Sequence, residues 1–364
     1  MQTQFFPSRT MSIYMGRMFL VRSFAVLAAL VLVLQALDLL GESDKILAYP
    51  GNGNPELWTY VTLRTPQIIA RFLPFSVLLG TLITLITLNQ NSEVVSMKAS
   101  GLSAHQVLAP LILASLLVAG VSFAFNERIV ARASDTLDRW EKADFGPLPK
   151  DKALQTNVWV RDGNNLVHAA EVRGRGANTR LDKVTIYDRE ADSLLQIIEA
   201  PSANFSGQGW TLADATRFNV ATGVTEPMGT ITVGESIRPD QFTLAQVDPD
   251  GLSFMGLKDA IADLNDAGRP TRALEANLWH KIAGPLSSVL MPLLGAVAAF
   301  GLARSGQLFL RAVIGMALGF AYFVADNFGL AMGNLGAYPP WLAAWGPFLL
   351  FFLIGETVLI RTEE

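Results

Sequence analysis

Four stretches of this chain run without an Asp, Glu, Lys or Arg for 21, 28, 22 and 29 residues, at 72–92, 99–126, 282–303 and 327–355. A helix crossing the hydrocarbon of a bilayer needs about 20 apolar residues, and so many long runs in one chain point to lipid as solvent. Pro339-Pro340 splits the last run, 312–325 precedes it, and another apolar segment covers 18–40 with Arg22 near one end. The pattern predicts six spanning helices, at 18–40, 63–88, 106–125, 280–301, 309–333 and 341–360. The first is longer than the 7–15 apolar residues, or about that, of a secretory signal and ends in no small-x-small cleavage pattern, so it reads as a retained span. Residues 1–10 are either a tail or an overlong start, since Met11 could also begin the chain.

Composition sharpens this reading through its unevenness. Of 364 residues, 16% are charged, against roughly 25% in an average soluble domain. Yet residues 126–272 hold 17 of the 28 basic and 22 of the 32 acidic side chains, a local balance of 17 − 22 = −5. A domain of ordinary charge therefore interrupts an apolar chain, and the expected organisation is 1–125 with three spans, 126–272 as the polar domain, and 273–364 with three more. The composition excludes disorder and a nucleic-acid binder. With no cysteine in the sequence, a disulfide framework, a thiolate metal site and a Cys nucleophile are excluded as well.

Basic residues in short loops set membrane orientation. Arg9, Arg17 and Arg22 precede or enter the first span, Lys98 lies between the second and third, Arg304 and Arg311 flank the turn between the fourth and fifth, and Arg361 follows the sixth. With both termini cytoplasmic, all seven fall on or near the inside. The outer loop after the first span then has Lys45 against Glu42, Asp44 and Glu56, and the polar domain is outside.

That domain reads as strands over 154–245. Val158–Val160 and Leu166–His168 flank Asp162-Gly163-Asn164-Asn165, a hairpin turn. Val184–Tyr187 and Leu194–Ile198 flank a second polar turn, and Ala203–Phe205 and Trp210–Leu212 flank Gly207-Gln208-Gly209. Short strands at this spacing suit a sandwich, a jelly roll or a partly open barrel. Leu252, Phe254, Leu257, Ile261 and Leu264 follow a helical period ended by Gly268 and Pro270.

No chemistry-bearing constellation stands out. The sequence has no GxxxxGK[ST], HExxH or GxSxG, and His105, His168 and His280 are scattered, which suits structural roles. The chain reads as a non-enzyme without a cofactor of its own. The most informative segment is 89–103, between two spans on the cytoplasmic side. It is either a short amphipathic helix with Glu93 exposed, seated in a partner's groove, or a solvated loop.

In this segment Ser92-Glu93-Val94-Val95-Ser96-Met97-Lys98-Ala99-Ser100-Gly101-Leu102-Ser103 resembles the coupling motif SEL-hydrophobic-xM-xAxG-[ST] of the lipopolysaccharide-export permeases of Gram-negative bacteria, the LptF/LptG family, with Val94 in place of Leu. Further similarities run in order along nearly the whole chain and favour the G-type. They are Trp159 to Asn165 (WVRDGNN), Asp248 to Ser253 (DPDGLS), Leu278 to Ile282 (LWHKI) with Pro285-Leu286-Ser287, Gly319-Phe320 with Asp326, and Pro339-Pro340.

The resemblance implies a polytopic α-helical membrane protein with six transmembrane helices, three before and three after an inserted periplasmic all-β, jellyroll-like domain. It implies a second, F-type permease as partner, a cytoplasmic ATPase dimer that alone binds ATP and Mg²⁺, and a single-span periplasmic bridge protein with a further jelly roll. The substrate would be lipopolysaccharide, and the location the Gram-negative inner membrane. Glu93, Val94, Met97, Ser100 and Gly101 would form the ATPase-coupling element. A carrier of an anionic acylated lipid needs bases near its outer rim, and the candidates are Lys45, Arg71, Arg128, Arg132, Arg139, Lys142 and Lys281. Arg71, about two turns into the second span, would face a cavity, snorkel or pair. The family's lysine in the first helix is replaced here by Gln35, near Asp38. Gly315 with Gly319, and Gly329 with Gly333, are GxxxG spacings that permit close approach and sliding of a gate helix, or static packing. Asp326 would pair with a gate base or sit at a hydrated helix end.

Rival readings predict other patterns. A lipoprotein-release or mechanotransmission permease would place its outer domain after the first span. A lipid-modifying membrane enzyme would need convergent acids, bases or ligands at the membrane face. A simple anchor for a β domain would not need six spans.

Overall fold

A computed structural model describes residues 7–147, 155–174, 178–190, 193–207, 209–234, 237–239, 242, 248–266, 269–300 and 308–361. Gln208, Gly268 and Arg304 of the sequence reading, with residues 1–6, lie outside the described residues. The chain divides into two compact units, one of residues 1–146, 249–261 and 270–364, the other of residues 147–248 and 262–269.

The first unit is helical: α1 (Arg9–Ala48), α2 (Asn54–Gln90), α3 (Glu93–Ala99), α4 (Ala104–Phe125), a π-helical turn (Asn126–Val130) and α5 (Ala131–Lys142). After the β domain come α6 (Phe254–Asp266), α7 (Arg272–Phe300), α8 (Leu308–Asn334) and α9 (Pro340–Arg361). Six helices among the described residues are long and apolar enough to cross a membrane, within α1, α2, α4 to α5, α7, α8 and α9. Three precede the β domain and three follow it.

The helices outrun their apolar segments. The 40 residues of α1 extend about 60 Å, twice the thickness of bilayer hydrocarbon. Helical hydrogen bonding continues through charged turns, so the ends are fixed by caps. Ser8 Oγ accepts from Met11 N at the start of α1. At α2 the Gly53 N–H donates to Glu56 Oε2 at 2.7 Å, and at α4 Ser103 and Gln106 cap each other reciprocally. The segment read as an outer domain from 126 onward therefore begins as helix, and residues up to 146 group with the helical unit.

Helix α7 is central, in contact with α2, α4, α8 and α9. In its most apolar window 72% of the residues are buried, against 11% for α1, which contacts α2 and α4 and leaves most of its surface open. Leu78, Leu82, Leu85 and Leu88 of α2 meet Leu290, Met291 and Leu294 of α7 in one core. Buried hydroxyls on α2 return their hydrogen bonds to their own helix, Thr81 to Val77 O at 2.8 Å and Thr84 to Gly80 O at 2.7 Å.

The second unit is built on six antiparallel strands in chain order: β1 (Gln155–Asp162), β2 (Asn165–Arg173), β3 (Arg180–Glu190), β4 (Ser193–Phe205), β5 (Trp210–Asn219) and β6 (Val224–Val233). All three hairpins read from sequence are present, closing at Asp162↔Asn165, Glu190↔Ser193 and Phe205↔Trp210. A fourth, between β5 and β6, closes at Asn219↔Val224. Val158, Val160, Val167, Ala169, Val184 and Ile186 alternate onto the buried face, as a half-buried sheet requires. That core is filled by Trp210, whose indole N–H donates to Ile237 O at 2.9 Å, and by Phe242, edge-on to Trp210 at 5.1 Å. The inserted β domain is thus a meander among the described residues.

Candidate functional site

The turn between α2 and α4 is a helix. Ser92 takes a left-handed conformation with φ 59°, which swings the chain from the end of α2 into α3. Val94 and Met97, three residues apart, are 4% and 2% exposed and lie in the core of the helical unit. Val95, Ser96, Lys98, Ser100 and Gly101 face outward. The two apolar side chains therefore seat α3 on its own protein and leave the other face exposed. Glu93 differs from the exposed carboxylate of the sequence reading. It is half-buried, with Oε1 accepting from Asn91 Nδ2 at 3.2 Å and taking a long contact from the Tyr14 hydroxyl at 3.5 Å.

A second polar constellation joins the C-terminal part of α1 to the N-terminal part of α2. Asp38 accepts from Arg64 Nε and Nη2 at 3.1 and 3.0 Å and from the Tyr60 hydroxyl at 2.7 Å. Arg64 Nη1 donates to Gln67 Oε1 at 2.7 Å, and Gln67 donates to Ser134 Oγ of α5 at 3.1 Å. Gln35 of α1 is 8% exposed and accepts from Thr65 Oγ1 at 3.1 Å. Its side chain is turned into the protein. Asp38, Glu42, Lys45, Tyr60, Arg64 and Glu141 help line a cleft of about 650 Å³. The cleft is mainly acidic, because Asp144 adds a fourth carboxylate against two bases. Sequence reading missed Arg64 and Tyr60. The available signal was Asp38 itself, since a carboxylate inside an apolar run needs a counter-charge on a neighbouring helix.

The seven candidate bases fall into different surroundings. Lys45 pairs with Glu42 at 2.9 Å, Arg139 with Asp135 at 2.7 Å and Lys142 with Asp138 at 2.6 Å, each on its own helix. Lys281 is half-buried on α7. Arg71, Arg128 and Arg132 are exposed and have no carboxylate partner among the described residues. Arg71 stands about five turns into α2, because that helix starts at Asn54. Contacts of Tyr60 with Phe145 and of Gln67 with Ser134 show that α2 and α5 run in opposite directions. One further turn along that register brings Arg71 level with 128–132. Three unneutralised guanidinium groups thus occupy one height of the bundle.

Asp326 of α8 is paired with His280 Nε2 of α7 at 2.9 Å, and Asn277 of α7 donates to Asn334 of α8 at 2.8 Å. The four glycines of α8 all face helices of their own chain. A Cβ at Gly315 would stand 2.6 Å from Leu82 Cδ2, and one at Gly319 would overlap Leu78. At Gly329 it would meet the Ala343 carbonyl oxygen at 2.8 Å, and at Gly333 the Ala343 Cβ at 2.5 Å. These small residues let α8 approach α2 and α9 closely. Among the described residues no group of three His, Asp or Glu side chains is placed to hold a metal ion.

Six apolar helices split around an antiparallel sheet, with a short helix seated between the second and third, define a polytopic membrane protein with an inserted β domain. Residues 13–361 match the family model described as the lipopolysaccharide export system permease LptF/LptG. The lipopolysaccharide export system permease protein LptG of Escherichia coli K12 is 30% identical over 310 residues, covering 83% of this chain and 84% of that protein. The LptG of Haemophilus influenzae is 26% identical over 98% of this chain and 99% of its own length. The chain belongs to the LptF/LptG family.

Proposed function

We propose that this chain is the G-type permease subunit of a lipopolysaccharide exporter, a multi-pass protein of the Gram-negative inner membrane. The observation that carries the reading is the order of three spans, β domain and three spans within a family match from 13 to 361. In this reading both termini are cytoplasmic and the β domain, within 126–272, is periplasmic. Arg17, Arg22, Lys98 and Arg361 support the orientation. The partners are an F-type permease, an ATPase dimer that supplies ATP hydrolysis with its Mg²⁺, and a single-span bridge protein.

Each part of the chain then has a physical task. Val94 and Met97 transmit movement, because a helix anchored by its apolar face moves with the core that holds it. Val95, Ser96, Lys98, Ser100 and Gly101 meet the ATPase, and Glu93 stands at the edge of that face. Arg71, Arg128 and Arg132 are the bases best placed for lipid phosphates, since their charge is not spent on an internal carboxylate. Lys45, Arg139, Lys142 and Lys281 are secondary contacts. Helices α1 and α8, open along apolar faces, meet lipid or the second permease.

The test is Glu93→Lys in the assembled transporter. Co-purification of the ATPase and ATP-driven release of lipopolysaccharide from proteoliposomes should both fall at least tenfold. Tyr14→Phe removes the internal contact alone and should leave both near native. Native assembly and release by Glu93→Lys refutes the coupling assignment.

A further inference from the structure

The β unit has an aromatic feature for which lipid handling has no need. Its packed face is closed by its own side chains, Trp210 and Phe242 among them. The opposite face presents Trp159, His168 and Tyr187 from β1, β2 and β3. The register sets Trp159 beside His168, and Leu166 beside Tyr187, while Val158, Val160, Val167 and Ile186 take the alternate, buried positions. Trp159 and Tyr187 stack with centroids 5.8 Å apart and planes within 18°. The His168 ring lies 4.5 Å from the indole, tilted by 35°. The indole is still 48% exposed. Thr185 and Glu199 continue the cross-strand row of Trp159 and His168, and Arg161 lies in the row of Tyr187.

We propose that this face is a saccharide-binding platform on which a sugar ring of the exported glycolipid stacks against Trp159. The proposal rests on the transport reading above for the source of the sugar. One face of a pyranose is a patch of C–H bonds, and it fits the electron-rich face of an indole. The hydroxyls around the ring edge need donors and acceptors beside the aromatic surface. Thr185, whose hydroxyl both donates and accepts, and Arg161, which donates, supply them. An acyl chain is a poor occupant, since it gains from a dry concave surface and this one is solvent-exposed, with charged Arg161 and Glu199 on the same face. A cross-strand aromatic pair alone would explain a stabilised hairpin. It would not explain an indole that two neighbouring rings hold in place while 48% of the residue stays exposed. A lipopolysaccharide joins an acylated anchor to a saccharide, and the platform serves the second part.

The test uses the full chain in detergent micelles and a fully deacylated lipopolysaccharide core oligosaccharide as probe, read by saturation-transfer NMR on the sugar protons. Transfer should concentrate on C–H groups of one ring face. Trp159→Tyr keeps a stacking face and should retain binding. Trp159→Leu, which keeps apolar cover for the strand pair, should weaken it roughly three- to tenfold. If Trp159→Leu does not fold, Tyr187→Leu carries the same expectation. Unchanged binding by the folded leucine variant overturns the platform. So does an absence of transfer to the native chain while intact lipopolysaccharide still binds, which leaves the transport reading standing. Failure of intact lipopolysaccharide to bind removes the transport reading instead, and the oligosaccharide result then decides the platform alone.

Discussion

Two glycines on α8 permit a controlled comparison of the same substitution. Changing either to alanine inside a helix brings an intrinsic gain of about 1 kcal/mol. What opposes the gain differs. At Gly319 the new methyl overlaps the end of the Leu78 side chain, which can rotate at a cost of about 0.5–1.5 kcal/mol. At Gly329 the methyl stands 2.8 Å from the Ala343 carbonyl oxygen and 3.0 Å from Pro347 Cγ. Neither atom moves without a shift of α9, and overpacking of this kind costs about 1–3 kcal/mol. Gly319→Ala should therefore be close to neutral, and Gly329→Ala less stable than it by about 1–2 kcal/mol. Reversible unfolding in mixed micelles, followed by tryptophan fluorescence, measures the difference. Equal cost at both sites, or a greater cost at Gly319, would show that α8 does not meet α9 through backbone contact as described.

Other consequences concern the polar groups. A double-mutant cycle of Asp38→Asn and Arg64→Gln should give a coupling of about 1–2 kcal/mol in the same unfolding assay, reduced from a fully buried pair because both side chains keep some solvent contact. A coupling below about 0.3 kcal/mol would mean that the pair is incidental. Replacing Arg71, Arg128 or Arg132 by Gln should each weaken lipopolysaccharide binding by about 1.5 kcal/mol, read by native mass spectrometry of the purified transporter. Arg139→Gln and Lys142→Gln, whose charges are already met by Asp135 and Asp138, should change it little. The reverse pattern would exclude the level of Arg71 as the phosphate contact.

The spans were legible because lipid imposes a solvent constraint that every residue of a segment must meet. Their ends were not, since hydrogen-bonded helix continues through Asp135, Asp138 and Arg139 as readily as through leucine. The strand pairs were legible from turn chemistry at 162–165 and 207–209. The β5–β6 hairpin lacked a comparably strong signal, and β6 is exposed along most of both faces. The sequence leaves 89–103 open between a short helix and a solvated loop; α3 is the helix, and the setting of Glu93 involves Tyr14, 79 residues earlier in the chain. The candidate bases could be counted from sequence. Which of them retain an unmet charge depends on i,i+3 and i,i+4 carboxylates and on the antiparallel register of α2 and α5, and the latter is a tertiary fact.

The π-helical turn at Asn126–Val130 acts as an angular setting in an otherwise unbroken rod. Such a turn accommodates one residue more than the α-helix around it. Removing one residue there would heal the helix and keep its length and polarity almost unchanged. Everything beyond would turn by about 100°. Ser134, Leu137 and Trp140 are the side chains aimed by that offset, at Gln67 and at the cluster of Ile46, Tyr60 and Phe145. The direction in which α5 points its apolar stripe is thus stored in a single surplus residue, a place where descent could redirect a surface without altering any side chain on it.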